Sequence, residues 1–141
     1  MLDLTLKNEI LISAPKSKIW DALTNPEQIK KYLFGTKTEC DWKKGSRLTF
    51  SGEYEGQKYE DHGTILEIEK EKFIQYDYWS SFSGVPDVAE NYSTITYELK
   101  PRDNAILLSL TQQGFVSQQS YEHSEKNWSI VLEEIKKIAE S

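Results

Sequence analysis

The sequence predicts an α+β domain: a curved antiparallel sheet of about six or seven strands wrapped around one long C-terminal helix. Three observations predict it. From Thr36 to Gln113 the chain is a succession of short alternating runs separated by turn residues. Apolar side chains in the tail recur at three- and four-residue intervals. Ahead of the alternating runs, two helix starts sit back to back at Pro15 and Pro26. Consecutive strands joined by short turns make an antiparallel meander. The terminal helix is the only long amphipathic element available to cover its face.

The elements follow in order. Leu4 to Ser13, rich in Leu and Ile, reads as a strand that stops at Ala14-Pro15. Proline pre-sets φ for a first helical turn, and Ile19, Trp20 and Leu23 then fall at helical spacing, giving a short helix to Thr24. Asn25-Pro26-Glu27-Gln28 starts a second helix, with an N-cap candidate, a proline at the first helical position and Gln three residues after the cap. Ile29, Tyr32 and Leu33 give it an apolar stripe, and Gly35 ends it. Strands are expected at 36–42, 47–54, 58–69, 73–79, 92–100 and 105–113. In the strand that begins at Phe73, Ile74, Tyr76 and Tyr78 alternate with Gln75 and Asp77, which points the rings inward. The longest connection runs from Ser80 to Asn91, and loops of that length are often functional. Trp128, Val131, Leu132, Ile135, Ile138 and Ala139 mark the terminal helix, which starts between Ser117 and Ser120.

The chain has 141 residues, enough for one domain with a real core. Its net charge is −6, with both signs interspersed. An acidic surface repels phosphate backbones and anionic lipid surfaces, which argues against nucleic acid and membrane binding. The one cysteine, Cys40, excludes an internal disulfide and suits a reducing cytosol. No basic region followed by an apolar run opens the chain, so neither a signal peptide nor a membrane span is expected. The expected location is the cytoplasm, and the expected state is a monomer.

His62 and His123 are the only histidines. Two isolated imidazoles and one thiol do not make a metal site. Asp61 and His62, adjacent in a strand, point to opposite faces and form no direct dyad. No glycine-rich phosphate loop is present. No catalytic residues, cofactor or metal are therefore assigned. Glu53, Glu55, Glu60, Asp61, Asp87 and Glu90 read as a solvated face.

Ile12-Ser13-Ala14-Pro15 is followed by Ile19-Trp20-Asp21-Ala22-Leu23-Thr24-Asn25-Pro26-Glu27. Further on come Asp61-His62-Gly63-Thr64-Ile65-Leu66-Glu67-Ile68, Thr96-Tyr97-Glu98-Leu99 and Leu110-Thr111-Gln112-Gln113-Gly114-Phe115. In this order the motifs resemble the SRPBCC (START-like, birch-pollen-allergen-like) superfamily, with its helix-grip fold. More closely, they resemble homologues of the C-terminal domain of the activator of heat shock protein 90 ATPase. Asn127-Trp128 stands where the family often has Gly-Trp. Eukaryotic activators carry a further N-terminal domain that helps engage the chaperone, and this sequence opens on the first strand.

The resemblance implies a cavity between sheet and helix that holds an apolar or lipid-like molecule. Alternation places Phe50, Tyr54, Tyr76, Tyr78 and Tyr97 on the concave face, and Tyr121 and Trp128, seven residues apart, on the facing side of the helix. Buried tyrosine hydroxyls need partners, so several on one concave face suggest a pocket with polar anchors. These seven residues are the candidate lining. Trp79 and Phe82, beside the long loop, are the candidate mouth. The expected function is non-enzymatic binding of a small apolar ligand. A chaperone-interaction module is the alternative, and a cyclase- or hydrolase-like enzyme ranks last.

Overall fold

The computed structural model describes residues 2–141, which leaves Met1, at the head of the segment read for targeting signals, outside them. β1 (Leu2–Ile12) leads into α1 (Lys16–Thr24) and α2 (Pro26–Tyr32). β2 (Lys37–Glu39), β3 (Arg47–Tyr54), β4 (Gln57–Glu69), β5 (Phe73–Tyr78), β6 (Ser93–Arg102) and β7 (Ala105–Phe115) follow, and α3 (Gln118–Glu140) closes the chain. The strand order is β1-β7-β6-β5-β4-β3-β2, antiparallel at every step. β2 to β7 form the expected meander, β1 adds itself beside β7, and α1 and α2 carry the chain from one sheet edge to the other. This is the helix-grip fold.

Turn chemistry sets the registers. Tyr54 pairs with Gln57, and the two residues between them, Glu55 and Gly56, take φ of +51° and +79°. That is the twisted two-residue turn that keeps hairpin strands together. β2 stops at Glu39 rather than reaching Trp42, because the chain bends into a turn in which Trp42 itself takes φ +56°. Gly63 lies against the neighbouring strand, where a Cβ would overlap the carbonyl oxygen of Asp77. Only glycine permits that approach.

The junction of α1 and α2 follows from Pro26. A helical carbonyl is normally met by the N–H four residues on, but four residues after Ala22 stands proline, which has none. Ala22 is fully buried, so water does not meet its carbonyl. The Tyr32 hydroxyl donates to it at 2.8 Å instead. The Asn25 side chain accepts from the Glu27 N–H at 3.0 Å and caps α2.

The core lies between the concave face of the sheet and α3. Leu48, Ile65, Ile74, Ile95, Leu108 and Leu110 come from the sheet, and Val131, Leu132 and Ile135 from the helix. Each such side chain, fully buried, contributes roughly 1.5–3 kcal/mol. Ser117 caps α3, accepting from the Ser120 N–H at 3.1 Å. At the other end, Lys136 donates to the Leu11 carbonyl at 2.9 Å, and Glu140 accepts from the Ser13 N–H at 2.8 Å. The C-terminal end of the helix is thereby tied to the end of β1, which fixes its height above the sheet there. No helix among the described residues is long and apolar enough to cross a membrane.

Candidate functional site: a tyrosine-lined cavity under the long helix

A cavity of about 40 Å³ lies between sheet and helix. The sheet supplies Leu48, Phe50, Ile74, Tyr76 and Tyr97 to its wall. Leu23, Ile29, Tyr32 and Leu33 come from the two short helices and the residue after them. Trp42, on the β2–β3 turn, and Trp128, on α3, complete it. Leu33, Trp42 and Trp128 are half-buried and form the rim, while the remaining lining residues are buried. The space is far below the roughly 300–1,000 Å³ of a drug-sized pocket, so the described residues leave no lipid-sized void between sheet and helix. Large rings occupy it instead.

Three phenols converge on this space. Tyr76 on β5 and Tyr97 on β6 are diagonal neighbours, since Tyr76 pairs with Ile95 and Tyr97 with Ile74. Tyr32 enters from α2. Burial pushes all three phenols up from their ordinary value, and for Tyr32 and Tyr97 the neighbouring phenols push further. They remain protonated donors in neutral solution. The Tyr32 hydroxyl is used at Ala22. Those of Tyr76 and Tyr97 have no protein hydrogen-bond partner among the described residues, and neither oxygen is sealed from solvent, although the residues are only 7% and 6% exposed. The Trp128 indole is not free in this way: its Nε1–H donates to Gln112 Oε1 at 2.7 Å, and its ring meets Tyr97 edge-on at 6.0 Å.

Of the seven residues expected to line the cavity, the structure brings Phe50, Tyr76, Tyr97 and Trp128 together there. Tyr54 is corrected: it shares the Phe50 face but lies four residues, or about 13 Å, further along β3, beyond the cover of the helix. There it is 62% exposed. Tyr78 is corrected too, to a place beside the cavity. Its ring packs edge-on against Phe50 at 5.9 Å, and its hydroxyl donates to Asp61 Oδ2 at 2.9 Å. Tyr121 is the third correction. Seven residues separate it from Trp128, which is about 10 Å along the helix. It packs on Phe115 at 5.0 Å instead.

Neither expected mouth residue borders the opening. Trp79 follows Tyr78 directly and so faces the opposite, convex side, stacked on His62 at 5.3 Å. Its indole N–H donates to the Val85 carbonyl at 3.2 Å. Phe82 packs on Tyr59 at 5.4 Å and Tyr54 at 6.5 Å, out at the β3–β4 hairpin. Sequence reasoning missed Tyr32 and Trp42. The signal for Tyr32 was Pro26, which orphans the Ala22 carbonyl. Nothing in the sequence pointed to Trp42.

Asp61 and His62 do face opposite sides, but Asp61 is not solvated as expected. It is 7% exposed on the concave face. It accepts from Tyr78, from the Ser81 N–H at 2.8 Å and from the Ser80 and Ser81 hydroxyls. These bonds moor the start of the long loop. On the convex face, His62 Nε2 lies 2.8 Å from Asp87 Oδ2 and 3.1 Å from the Tyr92 hydroxyl, which moors the loop's other end.

Residues 13–140 match the family described as activator of Hsp90 ATPase homolog 1-like protein. The chain belongs to that family. Membership and fold together place this activator-homologue chain in the SRPBCC superfamily. The solution structure of ChR145 from Cytophaga hutchinsonii is 40% identical, with a TM-score of 0.84 over 97% of this chain and 94% of that one. The solution structure of the Aha1 dimer from Colwellia psychrerythraea superposes with a TM-score of 0.75, covering 97% of this chain and 96% of that one. It is 17% identical, so that likeness shows the fold alone. Mll3558 from Rhizobium loti, at 18% identity and a TM-score of 0.82, does the same over 97% of each chain. A search of curated proteins returns no match.

Proposed function

We propose that this activator-homologue chain binds a small, uncharged apolar ligand in the cavity under α3, without catalysis, in the cytoplasm. The observation that carries the reading is the pair of hydroxyls on Tyr76 and Tyr97, which lack a protein partner in the wall of an otherwise apolar cavity. Phenylalanine would fill the same space without bringing a polar group to it. Two such groups facing one cavity support a polar group on whatever enters. Binding is favoured over chemistry because the lining has no carboxylate, imidazole, thiol or amine. General acid–base catalysis needs a group that exchanges protons near the working pH, and these phenols are pushed away from it.

The test is an amide NMR titration of the purified protein with neutral ligands graded in size, from one ring to a sterol. Saturable shifts confined to the cavity lining for the smallest members support the reading. Shifts from none of them would sink it.

The family description favours a second reading, a chaperone-interaction module. An Hsp90 whose ATPase rate stays unchanged on adding the protein, with no association in a pull-down, would dispose of that alternative.

A further inference from the structure

Three half-buried residues rim the cavity, and they are not held alike. Trp128 is fixed by its bond to Gln112 and its contact with Tyr97. Leu33 continues directly from α2, its N–H bonded to the Ile29 carbonyl at 2.9 Å. Trp42 stands on a turn whose far side is fastened to β4: the Gly45 N–H donates to the Ile65 carbonyl at 2.8 Å, and the Ile65 N–H to the Ser46 carbonyl at 2.9 Å. Trp42 precedes those two bonds, between Cys40 and Lys43, each of which bonds to the Ser46 side chain. Its backbone N–H reaches Cys40 Sγ at 3.3 Å, and its indole N–H has no partner among the described residues. Its φ of +56° is one that bulky residues rarely adopt. The side chain is thus held over the cavity by a turn in a conformation that favours glycine.

The cavity is too small to accept a ligand with this wall in place. A cavity of about 150 Å³ is known to take benzene, several times the 40 Å³ present here. The lining also limits what can enter. It offers no charge to pair with, so a charged ligand would be stranded. It offers two donors from adjacent strands, and a carbonyl oxygen has two lone pairs to accept both.

We infer that Trp42 is the lid of this cavity, swinging out to admit an uncharged one-ring compound whose carbonyl oxygen accepts from both Tyr76 and Tyr97. The inference rests on the reading of the cavity as the ligand site. It adds the gate and the ligand's chemistry.

The experiment titrates the full chain with acetophenone and with ethylbenzene, which has nearly the same shape but no oxygen. Acetophenone binds about tenfold tighter, from two hydrogen bonds of ordinary strength. The double variant Tyr76→Phe, Tyr97→Phe binds the two alike. Trp42→Gly, whose glycine takes the positive φ readily, exchanges either probe at least about tenfold faster. With 5-fluorotryptophan in the wild-type chain, the Trp42 fluorine resonance moves on adding acetophenone and that of Trp20, buried in the core, does not. Equal affinities in the wild type would overturn the carbonyl anchor. An unchanged exchange rate, or a motionless Trp42 fluorine with probe bound, would overturn the lid. Binding to Trp42→Gly but not to the wild type would make Trp42 a fixed wall, and also overturn it. If neither probe binds any form, the cavity reading itself falls.

Discussion

Tyr32→Phe separates a structural phenol from the two unpartnered ones. The substitution removes one oxygen and leaves the ring. In the native chain that oxygen donates to the Ala22 carbonyl at 2.8 Å, which residue 26, a proline, cannot meet. Ala22 has no exposure to water. The variant therefore leaves a buried carbonyl unsatisfied, which costs about 1–3 kcal/mol. Tyr76→Phe and Tyr97→Phe remove hydroxyls with no protein partner, so each leaves stability unchanged or raises it by up to about 1 kcal/mol. Urea unfolding followed by circular dichroism reads the difference. At an m-value of about 2 kcal/mol per molar, Tyr32→Phe lowers the midpoint by about 1 M, with m unchanged. The other two leave it unchanged or raise it by no more than about 0.5 M. A loss at Tyr76 or Tyr97 as large as that at Tyr32 would mean that those hydroxyls are already satisfied, and the case for an anchoring pair would be gone.

Other outcomes follow from the same contacts. Tyr32, Tyr76, Tyr78 and Tyr97 all have phenols pushed up by burial. Below the ordinary phenol value of about 10 both states stay protonated; above it the unfolded chain loses protons that the native chain keeps. Stability then falls by up to about 1.4 kcal/mol per pH unit for each such phenol. Of the eight tyrosines, Tyr32, Tyr76, Tyr78 and Tyr97 should ionise in one cooperative step that coincides with loss of near-UV circular dichroism, while Tyr92, pushed up to about 12 by partial burial and by Asp87 beside it, ionises after the remaining exposed phenols. Gradual ionisation of all eight with the signal intact would contradict the burial. Gly63→Ala forces the Asp77 carbonyl away from β4 and costs about 3 kcal/mol or more, measurable as a lowered melting temperature. A stable alanine variant would show that the strands do not approach so closely. Asp61→Ala strands the Tyr78 hydroxyl and the Ser81 N–H and costs about 2–3 kcal/mol. It also speeds hydrogen exchange at Ser81 selectively; uniform exchange would deny the carboxylate its mooring role.

The fold was legible because pattern and turn chemistry agree along the chain. Period-two alternation located the strands, Glu55-Gly56 located a hairpin, and Asn25-Pro26 located the break between the short helices. The site was legible by face but not by depth. Parity put Phe50, Tyr54, Tyr76, Tyr78 and Tyr97 on one side of the sheet, yet it cannot say where the covering helix ends, and Tyr54 lies past that end. Helical periodicity aligned Tyr121 with Trp128 but carries no information on which strand each faces. The same parity turns Trp79, one residue on from Tyr78, to the convex face beside His62 and away from the opening. Asp61 looked solvated because its partners, Ser80 and Ser81, sit on a loop whose path is set by tertiary contacts. Trp42 was read as the end of a strand, and no propensity rule anticipates a tryptophan at positive φ.

The central claim is that a ligand sits in the cavity under α3, against Tyr76 and Tyr97. Intermolecular nuclear Overhauser contacts to acetophenone added to the intact chain test it most directly. The account predicts contacts from the probe's ring protons to the Ile74 and Leu48 methyls and to the rings of Tyr97 and Trp128. Contacts only with the exposed rings of Tyr54 and Phe82 at the hairpin tip would contradict it, and would move the binding site outside the fold's interior.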